Sequence, residues 1–301
     1  MTQRGRAKRR LFVPFVLPAL IVYAVIVLYP AFQAFNISLF EWSGFGQTST
    51  FVGLRNFADI PTDPVYRLAL VNNLVLLVVG GMAIFAIAFL AVAVLPTLGR
   101  RRGLFRAVVF VPQVVPLIAL SVLWTFVYNN DFGLLNAILV AVGVKDAAGT
   151  PWMGPETIEA AVVAALVWTY AGFYVVLLMA AASRVPLDLY EASLLDGATR
   201  WQAFRHITLP LIWNVVVIGL VLWIIDAMNQ FDFVFAVGST TGQPRQEIWT
   251  LPIYVFEQAF GERIPVFRLG YATAVAVTLV ALITVMIVVV RRGLRRPVVE
   301  Y

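Results

Sequence analysis

Residues 190–210 read YEASLLDGATRWQAFRHITLP, and this polar stretch lies between two long apolar runs. Together with the six residues before it, the stretch carries three cations and three acids, which are Arg184, Arg200, Arg205, Asp188, Glu191 and Asp196. Leu187, Tyr190 and Leu194 fall at helical spacing. Gly197 follows and is predicted to end that helix, because glycine readily adopts a positive φ. The sequence therefore predicts two short helices joined at Gly197.

Other residues indicate where these two helices begin and end. Pro186 suits the first turn of the first helix, where its missing N–H costs nothing. Trp201 and Phe204 share a face of the second helix, and Pro210 is predicted to close it and to begin the next apolar run. A bent, rigid knob of this kind can fit a cleft on a soluble partner and transmit a rigid-body movement. A solvated connecting loop is the alternative that the residues alone leave open.

Composition places the chain in a membrane and excludes several kinds of site. It is 61% hydrophobic and 13% charged, whereas a soluble domain is roughly 45–50% apolar and about 25% charged. It has no cysteine and a single histidine, His206, which excludes thiolate metal sites, thiol nucleophiles and HExxH sites. Neither Lys8 nor Lys145 lies in a phosphate-binding GxxxxGK[ST] loop. We therefore predict no catalytic residue, no metal site and no nucleotide site, and the chain is not expected to be an enzyme.

Six apolar runs predict an all-α, polytopic protein with six transmembrane helices in one integral domain, residues 1–301. Each run exceeds the roughly 20 residues that cross a bilayer. The spans are predicted at about residues 11–38, 66–95, 104–128, 156–183, 210–237 and 267–290, with the polar loop at 184–209.

The distribution of cations orients these spans. Five lie in residues 1–10, four in residues 100–106, three in the central loop and four in residues 291–296. These segments alternate with the other loops and hold 16 of the 22 cations. By the positive-inside rule, both termini and the central loop are predicted to be cytoplasmic. The net charge of +6 is thus a topology signal rather than a nucleic-acid footprint.

The central loop resembles the EAA loop of the membrane subunits of binding-protein-dependent ABC importers, whose pattern is EAA-x3-G-x9-I-x-LP. The matching positions are Glu191-Ala192-Ser193, Gly197, Ile207 and Leu209-Pro210, and Ser193 is the one departure, at a position where the family has alanine. The resemblance implies a type I importer permease fold and a loop that couples to a separate ATPase. The residues expected to couple are Glu191, Ala192, Ser193, Asp196, Gly197, Ala198, Trp201, Ile207, Leu209 and Pro210.

Other stretches resemble the carbohydrate branch of the same family, of the maltose or glycerol-phosphate type. They are YPAFQAFNISLFEW at 29–42, FVGLRNF at 51–57, FRAVVFVPQVVP at 105–116 and FDFVFAVGSTTGQP at 231–244, where Gly242-Gln243-Pro244 departs from the usual Gly-Gly-Pro. The resemblance implies a heterodimer with a second permease, an ATPase dimer that binds ATP and Mg, and an extracytoplasmic sugar-binding protein. It also implies a bacterial plasma (inner) membrane location and no cofactor in this chain.

Polar residues within the spans are candidates for a substrate path, because polar groups in lipid are costly and normally face a bundle interior or water. In span five, Asp226, Asn229, Gln230 and Phe233 have the spacing of one helical face. By resemblance, Asn229 and Asp232 lie where maltose-type permeases contact substrate. Hydrogen bonding between helices is the alternative. The remaining candidates are Tyr170, Gly172, Phe173 and Tyr174 in span four and Ser121 in span three, where ordinary packing is the alternative.

Three other functions remain open on the sequence. An importer of a non-sugar solute has a similar size and loop. An ion-coupled secondary transporter needs inverted repeats or interrupted spans, and the sequence indicates neither. A membrane enzyme lacks a catalytic constellation here. We therefore predict a permease subunit that forms half of the path for a carbohydrate or polyol.

The predicted topology is testable with single cysteines, because the parent chain has none. A cysteine at Thr199 should be protected from an impermeant thiol reagent in intact cells and should react after the membrane is opened. Cysteines in the loops at 39–65, 129–155 and 238–266 should react from outside. Labelling of the cysteine at position 199 in intact cells would contradict the orientation.

Overall fold

The computed structural model describes residues 15–46, 49–94, 99, 101–144, 149–239, 245–261 and 267–294, and almost all of their regular structure is helical. The first helices are α1 (Phe15–Ile37), α2 (Arg55–Asp59), α3 (Pro64–Val94), α4 (Arg102–Val114), α5 (Leu117–Val127), α6 (Leu134–Ala141) and α7 (Ile158–Ala182). Next come α8 (Leu187–Leu195), α9 (residues 200–211), α10 (Trp213–Met228), α11 (Asp232–Ser239), α12 (Leu251–Phe260) and α13 (Leu269–Gly293). Strands β1 (Phe40–Glu41) and β2 (Thr50–Phe51) form an antiparallel pair. The cationic ends of the chain, residues 1–10 and 295–296, lie outside the described residues.

Five helical segments are long and apolar enough to cross a bilayer. They are α1, α3, α7, α13 and the segment Trp213–Gly238, which contains α10 and most of α11. These segments confirm the all-α, multi-pass prediction, and their described ends agree with the predicted ones to within a few residues. The orientation of the spans and the single-domain assignment stay predictions.

The third predicted span, residues 104–128, is not one straight helix. Helices α4 and α5 together are apolar enough to cross, but they meet at an angle of 95°. Val115 between them is extended, with φ −80° and ψ 133°, as a residue before proline prefers. Pro116 then offers no N–H to continue the hydrogen-bond ladder. The described residues therefore contain five spans, or six if this bent pair crosses as one.

The chain divides into two compact units, residues 1–63 with 255–280 and residues 64–254 with 281–301. The first unit contains the strand pair and the beginning of α13, and the second contains the packed bundle of α3, α4, α5, α7, α10 and α11.

In the first unit, the strand pair is fastened by backbone hydrogen bonds and by close packing on α13. A Cβ at Gly270 would overlap the carbonyl oxygen of Phe40, and the Gly270 N–H donates to the Trp42 carbonyl over 3.0 Å. The buried side-chain amide of Asn56 donates to the carbonyls of Ser38 and Phe40 over 2.8 and 3.0 Å. Backbone carbonyls in and next to β1 are thus paired with the side chain of Asn56 and with the first turn of α13.

In the second unit, a glycine pair in α3 makes room for a buried indole of α10. A Cβ at Gly81 would lie 2.6 Å from Nε1 of Trp223, and one at Gly80 would lie 3.2 Å from Cζ2. The same Nε1 donates to the carbonyl of Leu77 over 2.8 Å, within a π-helical turn at Leu76–Gly80. Helices α3 and α10 can therefore approach closely and satisfy the indole N–H away from water.

Helix α7 is the centre of this bundle, and it closely approaches α4 and contacts the residue that follows α5. A Cβ at Gly172 would overlap the backbone carbonyl oxygen of Val109 in α4. The hydroxyl of Tyr128, directly after α5, donates to the carbonyl of Ala161 over 2.8 Å. Both contacts involve backbone, which cannot move aside as a flexible side chain can.

Replacement of Gly172 by alanine should therefore destabilise the protein. Overpacking of a close contact costs about 1–3 kcal/mol, so the melting temperature of the purified chain in detergent should fall measurably. Gly103→Ala is the matched control, because no heavy atom lies within 4 Å of a Cβ there in the described part of the chain. It should be neutral or slightly stabilising. Equal melting temperatures for Gly172→Ala and the parent would contradict the close approach of α4 and α7.

Candidate functional site

The central loop folds into the two predicted helices, and its glycine has the predicted conformation. Helix α8 ends at Leu195, and Gly197 has a φ of +76°. The N–H of Ala198 donates to the carbonyl of Ser193 over 2.9 Å, and that of Gly197 donates to Leu194 over 3.1 Å. This double closure is the Schellman motif, which satisfies the last carbonyls of a helix through a residue with positive φ.

Two details at the ends of these helices differ from the sequence analysis. Pro186 is not in the first turn; it precedes α8 with an extended ψ of 137°. Pro210 does not close the second helix, because α9 continues to Leu211 and the next helix begins at Trp213. A π-helical turn, Phe204–Thr208, ends two residues before Pro210. Because that turn has already shifted the hydrogen-bond ladder, the missing proline N–H is tolerated.

Helix α9 begins with a capping box and is tied back to α8. The side chain of Thr199 accepts from the N–H of Gln202, and the side chain of Gln202 accepts from the N–H of Thr199. The hydroxyls of Tyr190 and Thr208 lie 2.8 Å apart and join the two helices. The loop is thus held in its bent shape by its own residues.

The outer surface of the loop exposes large apolar side chains. Leu195 is 90% exposed, and Leu187, Leu194 and Trp201 are also exposed. The predicted coupling residues divide by burial: Glu191, Ala192, Asp196, Gly197, Trp201 and Pro210 are exposed, and Ser193, Ala198, Ile207 and Leu209 are partly buried. Apolar side chains clustered on a polar loop are typical of a surface that contacts another protein.

The second candidate site lies where the fifth span is interrupted. Helix α10 ends at Met228 and α11 begins at Asp232, so residues 229–231 are not helical. The prediction that Asp226, Asn229, Gln230 and Phe233 share one helical face is therefore wrong. Phe233 is fully buried, whereas Asn229 is exposed. The expectation that no span is interrupted is wrong as well, because the break follows from long-range contacts that the local pattern does not contain.

The interruption nevertheless brings five of the nine predicted path residues together. A cavity of about 220 Å³ is lined by Tyr170, Asp226, Asn229, Gln230 and Asp232, with Leu117, Ile225 and Phe231. The hydroxyl of Tyr170 donates to Oε1 of Gln230 over 3.2 Å. The Nε2 atom of Gln230 is buried and has no hydrogen-bond partner among the described residues. The cavity thus offers amide donors beside carboxylate acceptors, a combination that binds hydroxyl groups.

The other four predicted path residues lie outside this cavity. The hydroxyl of Tyr174 donates to Oδ2 of Asp226 over 3.0 Å, so this buried side chain fixes a lining carboxylate. Phe173 packs edge-on against Tyr174, with ring centroids 5.1 Å apart. Gly172 contacts α4, as described above, and Ser121 is buried with its hydroxyl bound to the carbonyl of Ile118.

Sequence reasoning missed two kinds of residue around the cavity. The apolar lining residues Leu117, Ile225 and Phe231 carry no signal that separates them from ordinary span residues. The adjacent pair Asn72 and Asn73 does carry one, because two amides inside an apolar span are costly unless they have partners. Among the described residues, no group of three or more His, Asp or Glu side chains could hold a metal ion.

Comparison with known proteins identifies the family of the chain. Residues 83–296 match the family described as binding-protein-dependent transport system inner membrane component. The chain is 33% identical over 296 residues to the diacetylchitobiose uptake system permease protein NgcF of Streptomyces coelicolor, covering 92% of this chain and 82% of that protein. It is 33% identical over 244 residues to the trehalose/maltose transport system permease protein MalF of Thermococcus litoralis, covering 80% of each.

A solved structure shares the fold. A chain of a bacterial ABC transporter involved in the import of the acidic polysaccharide alginate superposes with a TM-score of 0.80 at 20% identity, covering 98% of each chain. The loop motif, the spans and the family match lead to one conclusion: the chain belongs to the inner membrane components of binding-protein-dependent transport systems, the permease subunits of ABC importers.

Proposed function

We propose that the chain forms half of the translocation path for a carbohydrate or polyol in the bacterial plasma membrane. The observation that carries this proposal is the cavity at the interrupted span, which joins exposed and buried polar groups within an apolar bundle. The buried side-chain amide of Gln230 has no hydrogen-bond partner for its Nε2 atom among the described residues, and Asp232 and Asn229 are exposed. Hydroxyl groups are both donors and acceptors and can pair with all three. The disaccharide names of the two relatives support the same solute class.

The charges of the cavity narrow the class of solute further. Among the described residues, the lining includes two carboxylates, Asp226 and Asp232, and no cation. An anionic solute would meet like charges in a partly desolvated space, which is unfavourable. We therefore expect a neutral sugar or polyol rather than an acidic one. A non-sugar solute that is neutral and rich in hydrogen-bonding groups is the remaining alternative.

The proposed assembly contains three further subunits and an external partner. The chain pairs with a second permease, which supplies the other half of the path, and with two ATPase subunits, which bind ATP and Mg. A solute-binding protein delivers the sugar from outside. The chain itself has no enzymatic role and binds no nucleotide. Uptake of labelled sugars by cells with and without this gene, before and after ATP depletion, tests the proposal.

The central loop is proposed as the surface that docks on the ATPase. Its bend is fixed by Gly197 and by the Tyr190–Thr208 contact, so a movement of the loop is passed to the spans on either side. Leu195 and Trp201 are exposed apolar side chains that such docking would cover. Glu191 is exposed on α8 and is available to pair with a basic group of the partner.

Alanine at Asn229 or at Asp232 should reduce sugar uptake. Loss of one buried polar contact with a sugar costs about 1–3 kcal/mol, which is roughly a five- to hundredfold change. Ile218→Ala is the control, because Ile218 is an exposed side chain elsewhere on α10. The measurement is the initial rate of uptake at matched permease levels in the membrane. Parental rates for both variants would show that these residues do not contact the solute.

Replacement of Gly197 by aspartate should disrupt docking more than Glu191→Ala. No heavy atom of the described residues lies within 4 Å of a Cβ at Gly197, so its φ of +76° is the only local obstacle. In the complex, the new side chain adds both bulk and charge. Gly143→Asp is the matched control, because Gly143 also has a positive φ and open surroundings but lies in a predicted external loop.

Both Gly197→Asp and Glu191→Ala should insert normally, because neither position lies in a span. The readout is uptake together with the amount of ATPase that co-purifies with the permease. Normal association and uptake for Gly197→Asp would mean that the loop is only a connector.

A further inference from the structure

We propose that Asn72, Asn73 and Thr250 are positioning residues that tie the segment before α12 to the interruption of the fifth span. Their side chains hold the backbone around Gln230, and Gln230 lines the candidate path. The consequence for transport rests on the proposed function, whereas the positional claim depends only on the hydrogen bonds described below.

The interruption leaves backbone carbonyls of α10 without helical partners. Within a bilayer no water is available to satisfy such groups, and each unsatisfied one costs several kcal/mol. One carbonyl, that of Ile225, is satisfied at the end of the helix, because the backbone N–H and the side-chain amide of Asn229 both donate to it. The carbonyls of Ala227 and Gln230 are satisfied by side chains from elsewhere in the chain.

Asn73 satisfies the carbonyl of Ala227 and also binds the first residue of α12. Its Nδ2 donates to the carbonyl of Ala227 over 2.8 Å, and its Oδ1 accepts from the N–H of Leu251 over 2.7 Å. Leu251 is the first residue of α12, and N–H groups in a first turn have no helical acceptor. One fully buried amide therefore bridges the end of α10 and the start of α12.

Thr250 supplies the second contact. Its Oγ1 donates to the backbone carbonyl of Gln230 over 2.6 Å, and both residues are 3% exposed. Gln230 is thus held at two points: its backbone carbonyl by Thr250 and its side-chain Oε1 by Tyr170. A shift of Thr250 would therefore move Gln230, which lines the cavity.

Asn72 fastens the segment that carries Thr250. Its Nδ2 donates to the carbonyls of Glu247 and Trp249 over 2.8 and 3.0 Å. The segment is predicted to be external, and residues 246–248 form a 3₁₀ turn. Because the segment and the interruption share these side chains, we infer that a displacement of the segment is transmitted to Gln230 in the path.

The test uses the absence of cysteine from the parent chain. In the first series of variants, a single cysteine replaces Asn229 and reports how readily a small thiol reagent reaches the interruption. The full-length protein is purified into nanodiscs, so that neither solute nor partner subunit is needed. A second reporter series carries the cysteine at Asn214, an exposed residue near the other end of α10.

Thr250→Val removes the hydroxyl and nearly preserves the shape of the side chain. It should raise the labelling rate at position 229 by about two- to tenfold, as expected for the loss of one hydrogen bond, and leave position 214 unchanged. Thr250→Ser retains the hydroxyl and should restore the parental rate. An unchanged rate at position 229, or an equal rise at both reporters, would overturn the proposal.

Asn73→Asp provides an independent test of the bridge. A carboxylate still accepts from Leu251 but cannot donate to Ala227, so labelling at position 229 should again accelerate. Asn214→Asp makes the same chemical change at an exposed site on α10 and should have no effect in the position-229 series. If these labelling results fail while sugar uptake is confirmed, the positioning role is refuted and the proposed function stands.

Discussion

A backbone carbonyl in the apolar thickness of a bilayer has no water to bind when its helical partner is lost. The fifth span is interrupted at residues 229–231 in spite of this cost. The interruption persists because side chains of Asn73 and Thr250 satisfy the carbonyls of Ala227 and Gln230. Asn229 and Gln230 lie in this interruption and line a polar cavity. The candidate path is therefore located where side chains replace the helical hydrogen bonds of the backbone.

The bend of the central loop is fixed by contacts within the loop itself. The loop lies outside the spans and has no core of its own, yet a Schellman closure at Gly197, a capping box at Thr199 and the Tyr190–Thr208 contact fix its shape. The first two join residues within five positions of each other, and the third joins the two helices of the loop across 18 positions. A loop stabilised in this way keeps its bend while its apolar outer surface remains available to a partner.

Close packing at glycines joins the helices that lie between the cavity and the central loop. Gly172 lets α7 contact the backbone of α4, and the pair Gly80 and Gly81 receives Trp223 of α10. Without a hydrophobic driving force between helices in lipid, such close approaches supply much of the attraction through van der Waals contact. Helix α7 therefore links the cavity to the central loop that begins directly after it.

The sequence by itself determined the spans, the two helices of the central loop and the positive φ of Gly197, because these depend on hydrophobic runs and on spacings within one or two helical turns. Polar residues inside the predicted apolar spans also identified most of the polar lining of the cavity. Only the tertiary structure decided the 95° bend at Pro116, the interruption of the fifth span and the roles of Asn72 and Asn73. The bond between Asn73 and Leu251 joins residues 178 positions apart, and no local pattern specifies which distant group will satisfy a buried amide.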